Sequence, residues 1–215
     1  ALRGFTIAAM ILVNYPGSWS HVYAPLLHAE WNGLTPTDLI FPFFIFIVGI
    51  SIALAYTKRL KAGVPKRPMY RKILFRSLKI FAVGVLLWLF PKFDFEHVRF
   101  AGVLQRIAIV FLFSALLFLN TKWKTQAIVA AVLLIGYWLA MVLIPTPGQG
   151  QAMLEPGINL AAWVDSQYLP GYMWQETWDP EGLLSTLPAI ATGITGLLAG
   201  HLILGKLPQE RKVIY

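Results

Sequence analysis

Eight polar or ionisable side chains lie within or at the edges of long apolar stretches of this 215-residue chain. A polar group in an apolar layer is costly unless it is paired or used, so each is a candidate for binding or chemistry. The eight residues are Asn14, His28, Asn32, Asp38, Arg99, Gln105, Arg106 and Asp179.

Arg106 is the most demanding of these residues, because it lies one turn into an apolar stretch that continues to Leu119 without another charge. Arg99 precedes it by seven residues, with Gly102 between them on roughly the same helical face. Two guanidinium groups spaced in this way suit a carboxylate or a phosphate. We expect Arg106 to form a buried ion pair with Asp38 or another acid; the alternative is an arginine that reaches out to the membrane interface.

Asp38 and Asp179 also have a structural interpretation. Thr35-Pro36-Thr37-Asp38 is typical of a helix start, with a capping residue, a proline at the first helical position and an acid in the first turn. Asp179, in Asp179-Pro180-Glu181-Gly182, has the spacing of a residue that caps the last helix. The sequence leaves both the structural and the functional interpretation open for each acid.

Lys72, Arg76 and Lys79 fall at helical spacing on one face. Such a basic stripe most often anchors a helix near anionic lipid. The alternative is a binding site for a polyanionic cofactor.

His28 has the most suggestive neighbours of the four histidines, because Glu30, Trp31 and Asn32 follow it just before a helix start. An imidazole can act as a general base near neutral pH. Spacing alone, however, favours a solvated loop residue.

The elements that carry these residues are membrane helices. Apolar residues make up 57% of the chain and charged residues 13%, about half the proportion of charge in a soluble domain. Several apolar runs approach the ~20 residues needed to cross a bilayer. We predict an all-α, polytopic membrane protein with about six spans, near Gly4–Tyr15, Pro36–Tyr56, Ile73–Phe90, Ala101–Leu119, Ala127–Ile144 and Leu183–Leu204.

The net charge of +8 is concentrated in particular loops, which indicates membrane orientation rather than nucleic-acid binding. The segment from Lys58 to Lys72 has seven basic residues and no acid, whereas Pro145–Gly182 has five acids and no basic residue. We therefore expect the N-terminus and the basic segment in the cytoplasm, and Pro145–Gly182 outside. Cysteine is absent, which excludes a thiolate metal site and a cysteine nucleophile, and no metal is expected.

The outward loop is long and rich in aromatic residues. Its tyrosines and tryptophans are typical of interfacial anchors, and sugar rings also stack on such side chains. They are Trp163, Tyr168, Tyr172, Trp174 and Trp178.

Several short motifs occur in the order and spacing of a known family. The string Leu27-His28-Ala29-Glu30-Trp31-Asn32-Gly33-Leu34, followed by Asp38-Leu39-Ile40-Phe41-Pro42, resembles the heparan-α-glucosaminide N-acetyltransferase family and its bacterial relatives. The further matches are Leu2-Arg3-Gly4-Phe5-Thr6, Val13-Asn14-Tyr15, Gly102-Val103-Leu104-Gln105-Arg106 and Asp179-Pro180-Glu181-Gly182.

The resemblance implies a transmembrane enzyme that moves acetyl from cytosolic acetyl-CoA to the amine of an amino sugar or envelope glycan on the outer side. The family's active-site histidine matches His28 and its partner asparagine matches Asn14, while acyl-histidine and direct transfer both stay open. We assign substrate or cofactor binding to Asn32, Asp38, Arg99, Gln105, Arg106, Asp179, Lys72, Arg76 and Lys79. The expected location is the bacterial inner membrane, with the bilayer and a glycan acceptor as partners; a homodimer is left open.

This sequence departs from the family pattern at two points, since Pro16 replaces a glycine and Glu30 stands where a small residue is common. Family members also continue with further helices, so residues 1–215 are expected to be the N-terminal part of a single transmembrane acyltransferase domain. A membrane transporter or lipid-handling protein, and an O-acetyltransferase of an envelope polysaccharide, are the alternatives.

Overall fold

The fold of the chain is all-helical in a computed structural model, which describes residues 2–205. Seven α-helices follow one another with short 3-10 turns between α1 and α2. They are α1 (Leu2–Asn14), α2 (Ile40–Lys61), α3 (Lys66–Leu89), α4 (Val103–Asn120), α5 (Trp123–Leu143), α6 (Leu160–Tyr168) and α7 (Thr186–Leu204).

Each of the six predicted segments corresponds to a helix, and α6 is an addition within the loop Pro145–Gly182, which the sequence predicts to face outward. Asn159 begins α6, because its side-chain oxygen accepts the backbone N–H of Ala162 at 2.9 Å. The last helix begins at Thr186, three residues later than the predicted Leu183. The Asp179 motif therefore belongs to the connection before that helix.

Four of the described helices are long and apolar enough to cross a membrane: α2 together with its preceding turn, α4, α5 and α7. Helix α1 has 13 residues, which corresponds to about 20 Å of helix. Helix α3 has 24 residues but carries Lys72, Arg76 and Lys79 in its apolar part. The described residues thus form a helical membrane protein with four candidate spans, while six spans and the orientation stay predictions.

Helices α2 and α7 make the closest contact in the bundle, and glycines line it on both sides. A Cβ atom on Gly49 would overlap the carbonyl oxygen of Gly193 and lie 2.9 Å from the Cα of Gly196. A Cβ atom on Gly196 would in turn overlap the carbonyl oxygen of Phe46. Small residues are the usual means by which membrane helices approach this closely, because lipid gives no hydrophobic force between them.

The buried core extends from this contact into α4. Ile45, Val110, Ile194 and Leu197 are almost fully buried there. Helix α3 joins the core through α4, and the Ser77 hydroxyl donates to the carbonyl of Ala108 at 2.9 Å. Helix α2 is therefore fixed in the centre, and its two ends carry the sites described below.

We predict that Gly49→Ala lowers the melting temperature of the purified protein, because the new methyl group meets backbone atoms of α7 that cannot move away. The overpacking should reduce the free energy of unfolding by about 1–3 kcal/mol. Gly136→Ala in α5 is the matched control, since no atom lies within 4 Å of the position that its Cβ would occupy. Equal melting temperatures for the two variants in detergent would contradict the close α2–α7 contact.

Candidate functional site

His28 and Asp38 form a hydrogen-bonded pair at the start of α2. The His28 Nδ1 lies 2.6 Å from Oδ1 of Asp38. The imidazole is 73% exposed, whereas the Asp38 side chain is only 23% exposed. Because a carboxylate only accepts, Nδ1 carries the hydrogen of this bond and Nε2 keeps its lone pair. The exposed nitrogen is therefore free to accept a proton from a substrate.

The Asp38 carboxylate is itself held by the turn that begins the helix. Oδ2 accepts the backbone N–H of Thr35 at 2.8 Å and that of Ala29 at 3.3 Å, and the Thr35 hydroxyl lies 2.9 Å away. An acid that reaches back to the N–H at a helix start is half of a capping box. The structural interpretation of Asp38 is confirmed by these contacts, and the residue that closes the turn also binds the His28 ring.

The two predicted asparagines are not joined to this pair by hydrogen bonds within residues 2–205. Asn14 lies at the end of α1, and its Nδ2 donates to the carbonyl of Met10 at 2.8 Å. Asn32 is an exposed residue of the connection to α2. The structure does not bring Asn14 and His28 into direct contact.

Trp31 attaches the His28 loop to the long outward loop. Its Nε1 donates to the carbonyl of Leu154 at 3.0 Å, and its ring meets that of Trp178 edge-on with centroids 5.7 Å apart. The sequence motif contained Trp31 but gave it no role. Its contacts place the aromatic part of the outward loop beside the His28 segment.

Arg99 and Asp179 form a buried ion pair next to Trp178. Nε and Nη2 of Arg99 donate to the two Asp179 oxygens at 2.7 and 2.6 Å, and Nη2 also reaches Glu181 at 2.6 Å. The Arg99 guanidinium also lies 5.6 Å from the Trp88 ring and 5.1 Å from the Trp174 ring. Burial alone would raise the pKa of Asp179, but the hydrogen bonds from Arg99 and from two backbone amides bring it below its usual value.

Asp179 does not cap α7, because Ser185 is the residue before that helix. The carboxylate instead accepts the backbone N–H groups of Trp174 and Glu181 at 3.0 and 2.9 Å. The prediction of a helix cap at Asp179 is therefore wrong. Its position seven residues before Thr186 makes it the centre of the loop rather than the start of the helix.

Arg106 is buried, but it does not pair with Asp38, which binds His28 instead. Its Nη2 donates to the carbonyl oxygens of Pro180 and Gly182 at 2.9 and 3.4 Å, and to the Ser185 hydroxyl. The prediction of a buried ion pair between Arg106 and Asp38 or another acid is wrong, because Arg106 forms no ion pair among the described residues. Carbonyl groups of the loop before α7 bind Nη2 of the guanidinium, because α4 and α7 pack side by side. The buried Nε of Arg106 has no hydrogen-bond partner among the described residues.

Gln105 connects the two arginines. It is 4% exposed, and its amide nitrogen lies 3.5 Å from the Arg99 carbonyl. Gly84 and Gly102 leave the room for its side chain, because a Cβ on either would lie within 3 Å of the Gln105 Oε1. Arg99 lies before α4 rather than on it, yet both arginines reach the same loop.

Asp165 is a buried residue of the outward loop that the sequence did not single out. Its carboxylate accepts the backbone N–H groups of Leu183 and Asp179 at 2.8 and 3.4 Å, and it packs directly against Gly182. Burial raises the pKa of this acid above its usual value, against the effect of those hydrogen bonds. The signal in the sequence that could have identified Asp165 is the helical pattern after Asn159, because this pattern places Asp165 on the buried face of α6.

Lys72 and Arg76 line a small basic pocket at the opposite end of α2, together with two arginines from elsewhere in the chain. The cavity has a volume of about 150 Å³, and none of its lining residues is acidic. Arg3 donates to the Ser51 hydroxyl at 2.9 Å, and Arg76 lies 4.8 Å from the Phe111 ring. The charged residues of the pocket are Arg3, Arg59, Lys72 and Arg76.

Two of the regions that contain predicted residues lie far apart. The pair His28–Asp38 lies at the start of α2, and Arg59 of the basic pocket lies near its end, roughly 30 Å along the helix. Lys79 does not line the pocket with Lys72 and Arg76. One region offers a proton acceptor and the other offers concentrated positive charge.

Comparisons with known proteins agree with the order of the motifs. The family model described as heparan-alpha-glucosaminide N-acetyltransferase, catalytic, matches residues 1–211. The chain is 28% identical over 253 residues to heparan-alpha-glucosaminide N-acetyltransferase of Homo sapiens, covering 94% of this chain and 37% of that protein. The Mus musculus protein of the same name is 27% identical over 263 residues, covering 99% and 39%. The chain thus spans well under half the length of these relatives.

We predict that Arg99→Met destabilises the fold strongly, because it leaves the buried carboxylates of Asp179 and Glu181 without a cation. Breaking a buried pair in this way costs about 3–5 kcal/mol of unfolding free energy. The loss should shrink as the pH is lowered, because carboxyls that have lost their cation have raised pKa values and can become neutral.

Lys92→Met is the control for this prediction. Lys92 lies in the same connection between α3 and α4, is exposed, and forms no ion pair among the described residues. Thermal unfolding over a pH series measures both effects. A loss in Arg99→Met that does not depend on pH would mean that its cause is lost packing on Trp88 and Trp174.

Proposed function

Because the chain belongs to the heparan-alpha-glucosaminide N-acetyltransferase catalytic family, we propose that it is the N-terminal part of a membrane enzyme that transfers acetyl from acetyl-CoA to the amine of a sugar. The acceptor is an amino sugar or an amino-sugar residue of an envelope glycan. The donor enters from the cytoplasm, and the acceptor binds on the outer side.

The observation that carries this proposal is the exposed imidazole of His28, oriented by a carboxylate that is fixed in place. Amide formation requires a base, because the attacking amine must lose a proton while the carbon–nitrogen bond forms. Nε2 of His28 takes that proton, and Asp38 stabilises the imidazolium through Nδ1–H. The carbon–sulfur bond of the thioester breaks in the same transfer, and the CoA thiolate takes up a proton as it leaves.

Asn14 supplies the second group that the reaction needs. A carbonyl under attack develops negative charge on its oxygen, and amide N–H donors stabilise that charge. The Asn14 amide has two hydrogens, and the bond to Met10 uses only one of them. Rotation of this side chain at the end of α1 brings the other hydrogen toward an acetyl group held beside His28.

The basic pocket is the proposed binding site for the phosphates of CoA. Four cations without an acid among them form a site that a polyanion neutralises, and arginine binds phosphate oxygens in a forked geometry. Lys72 and Arg76 belong to this site as the sequence suggested, with Arg3 and Arg59 in addition. This placement requires the orientation inferred from charge, in which the basic segment between α2 and α3 faces the cytoplasm.

The structure weakens the case for a transporter. That alternative interpreted Arg106 and Asp38 as residues of a substrate or proton path through the membrane. Both residues have partners within the protein, Arg106 in the loop before α7 and Asp38 in His28 and Thr35. An O-acetyltransferase differs only in the acceptor, so the choice between them is a matter of substrate.

We predict that His28→Ala reduces acetyl transfer by about 10²–10⁴-fold, because the general base is lost. The assay uses the full-length protein, radiolabelled acetyl-CoA and a panel of sugars with and without a free amine. Transfer to glucosamine but not to its amine-free analogue supports N-acetylation, and the reverse result supports the O-acetyltransferase.

Two further variants make the His28 result specific. His21→Ala alters an exposed histidine of the same loop and should keep the activity of the wild type. Asp38→Asn keeps the imidazole but removes the carboxylate that fixes its tautomer, so transfer should fall on the order of 10²–10⁴-fold. If His28→Ala turns over at nearly the wild-type rate, the enzymatic proposal loses its main support. An acetylated His28 trapped from labelled donor would establish the covalent route.

We predict that Arg59→Gln raises the KM for acetyl-CoA on the order of tenfold while leaving kcat nearly unchanged, since it removes a phosphate contact distant from the reacting atoms. Arg67→Gln is the matched control, because Arg67 is an exposed cation of α3 that does not line the pocket. Steady-state kinetics with varied acetyl-CoA measures both. Equal KM values for the two variants would remove the basic pocket from the donor site.

A further inference from the structure

The exposed side of α3 carries a second basic surface, next to the pocket between the helices. Its first half lines a groove of about 630 Å³. The lining residues are Pro68, Arg71, Lys72, Phe75, Arg76 and Lys79. They recur every three or four residues, so they share one helical face. Arg71, Phe75 and Lys79 belong to this groove and not to the basic pocket.

The same face becomes entirely apolar in the second half of α3. Val83, Leu86 and Leu87 continue the spacing of Phe75 and Lys79, and they are 47%, 53% and 60% exposed. The buried side of α3 is elsewhere, where Met69, Ile73 and Ser77 pack toward α4. The exposed face therefore changes along the helix axis from basic to apolar.

Within residues 2–205, the cations of the groove have no carboxylate partner. None of Arg71, Lys72, Arg76 and Lys79 takes part in an ion pair, and the sequence of α3 contains no acid. Lys79 lies 13 residues after the first residue of the helix, which is about 20 Å along its axis. If α3 spans the membrane, as the sequence predicts, a cation at this position needs a counter-charge, because the apolar layer does not solvate it.

We propose that this groove is a specific binding site for one anionic phospholipid of the leaflet at the basic end of α3. The phosphate lies between Arg71 and Lys79, the two cations of the groove that do not line the basic pocket, and an acyl chain follows Val83, Leu86 and Leu87. Lysine and arginine side chains lean toward the helix N-terminus, so the Lys79 ammonium reaches back to the headgroup. The headgroup supplies the missing negative charge, and the chain covers the apolar half.

A lipid fits this surface better than the other occupants do. Acetyl-CoA has the required phosphates but no long apolar chain to cover the second half of the face. An apolar transmembrane helix would cover the second half but would leave the cations of the first half without partners. An anionic amphiphile matches both halves of the same face.

The test measures lipid retention by the full-length protein without any assay of acetyl transfer. The protein is placed in nanodiscs of phosphatidylcholine or of phosphatidylcholine with phosphatidylglycerol, and native mass spectrometry after detergent release counts the bound lipid. One phosphatidylglycerol should remain bound to the wild type. The double variant Arg71→Gln, Lys79→Gln should bind it about fivefold more weakly for each charge removed.

Two comparisons distinguish the site from general attraction and from the donor site. The double variant Lys122→Gln, Lys124→Gln also loses two positive charges, but at the start of α5. This protein should retain the lipid. Arg59→Gln should retain it as well, whatever its effect on the KM for acetyl-CoA. Equal retention of the two lipids, equal loss in both double variants, or displacement of phosphatidylglycerol by acetyl-CoA would each overturn the proposal.

Discussion

The close contact between α2 and α7 is the constraint on which the rest of the structure depends. Gly49 and Gly196 let the two backbones meet, and any larger residue at these positions would force the helices apart. Since α4 packs against both helices and α3 packs against α4, a displacement here would pass through the whole bundle. It would also move both ends of α2, and with them His28–Asp38 and the basic pocket.

The segment from Asp179 to Ser185 is the second organising element, because it binds the side chains of Arg99 and Arg106 in different ways. Arg99 receives full negative charges, and Arg106 receives only carbonyl and hydroxyl oxygens. Burying a guanidinium without partners would cost several kcal/mol, so neither arginine is tolerable without this loop. Asp165 holds the loop from the other side through the amides of Asp179 and Leu183. Trp178, the residue before Asp179, packs edge-on against Trp31 and so fixes the position of the loop relative to the His28 segment.

The sequence predicts the helices well, since long apolar runs leave few alternatives in a membrane. It does not predict α6, because nine residues of amphipathic helix resemble the loop around them. The sequence predicts the pairing of side chains less well than it predicts the helices. Charge complementarity suggested a pair between Arg106 and Asp38 or another acid. Arg106 instead binds the loop before α7, more than 70 residues away in the sequence, and Asp38 binds His28 and Thr35. Periodicity does not show which loop lies nearest to a buried charge. Arg3 and Arg59 were visible as cations, yet only the packing of α1, α2 and α3 brings them beside Lys72 and Arg76.

The two substrates of the proposed reaction have opposite charges, which gives a reason for the proposed sites to lie at opposite ends of one helix. An amino-sugar acceptor is a cation while its amine is protonated, and its approach would be favoured by Glu155 and Glu176, the exposed acids of the loop between α5 and α7. The CoA donor approaches as a polyanion and is favoured by the pocket of four cations. The acidic residues would repel the CoA donor, and the cations of the pocket would repel the protonated amine. A single entrance for both substrates would therefore slow the binding of each. Because the proposed sites are separate, only the uncharged acetyl group and its linker must reach His28 through the apolar layer. The phosphates stay in the basic pocket, since a charged group is costly in that layer.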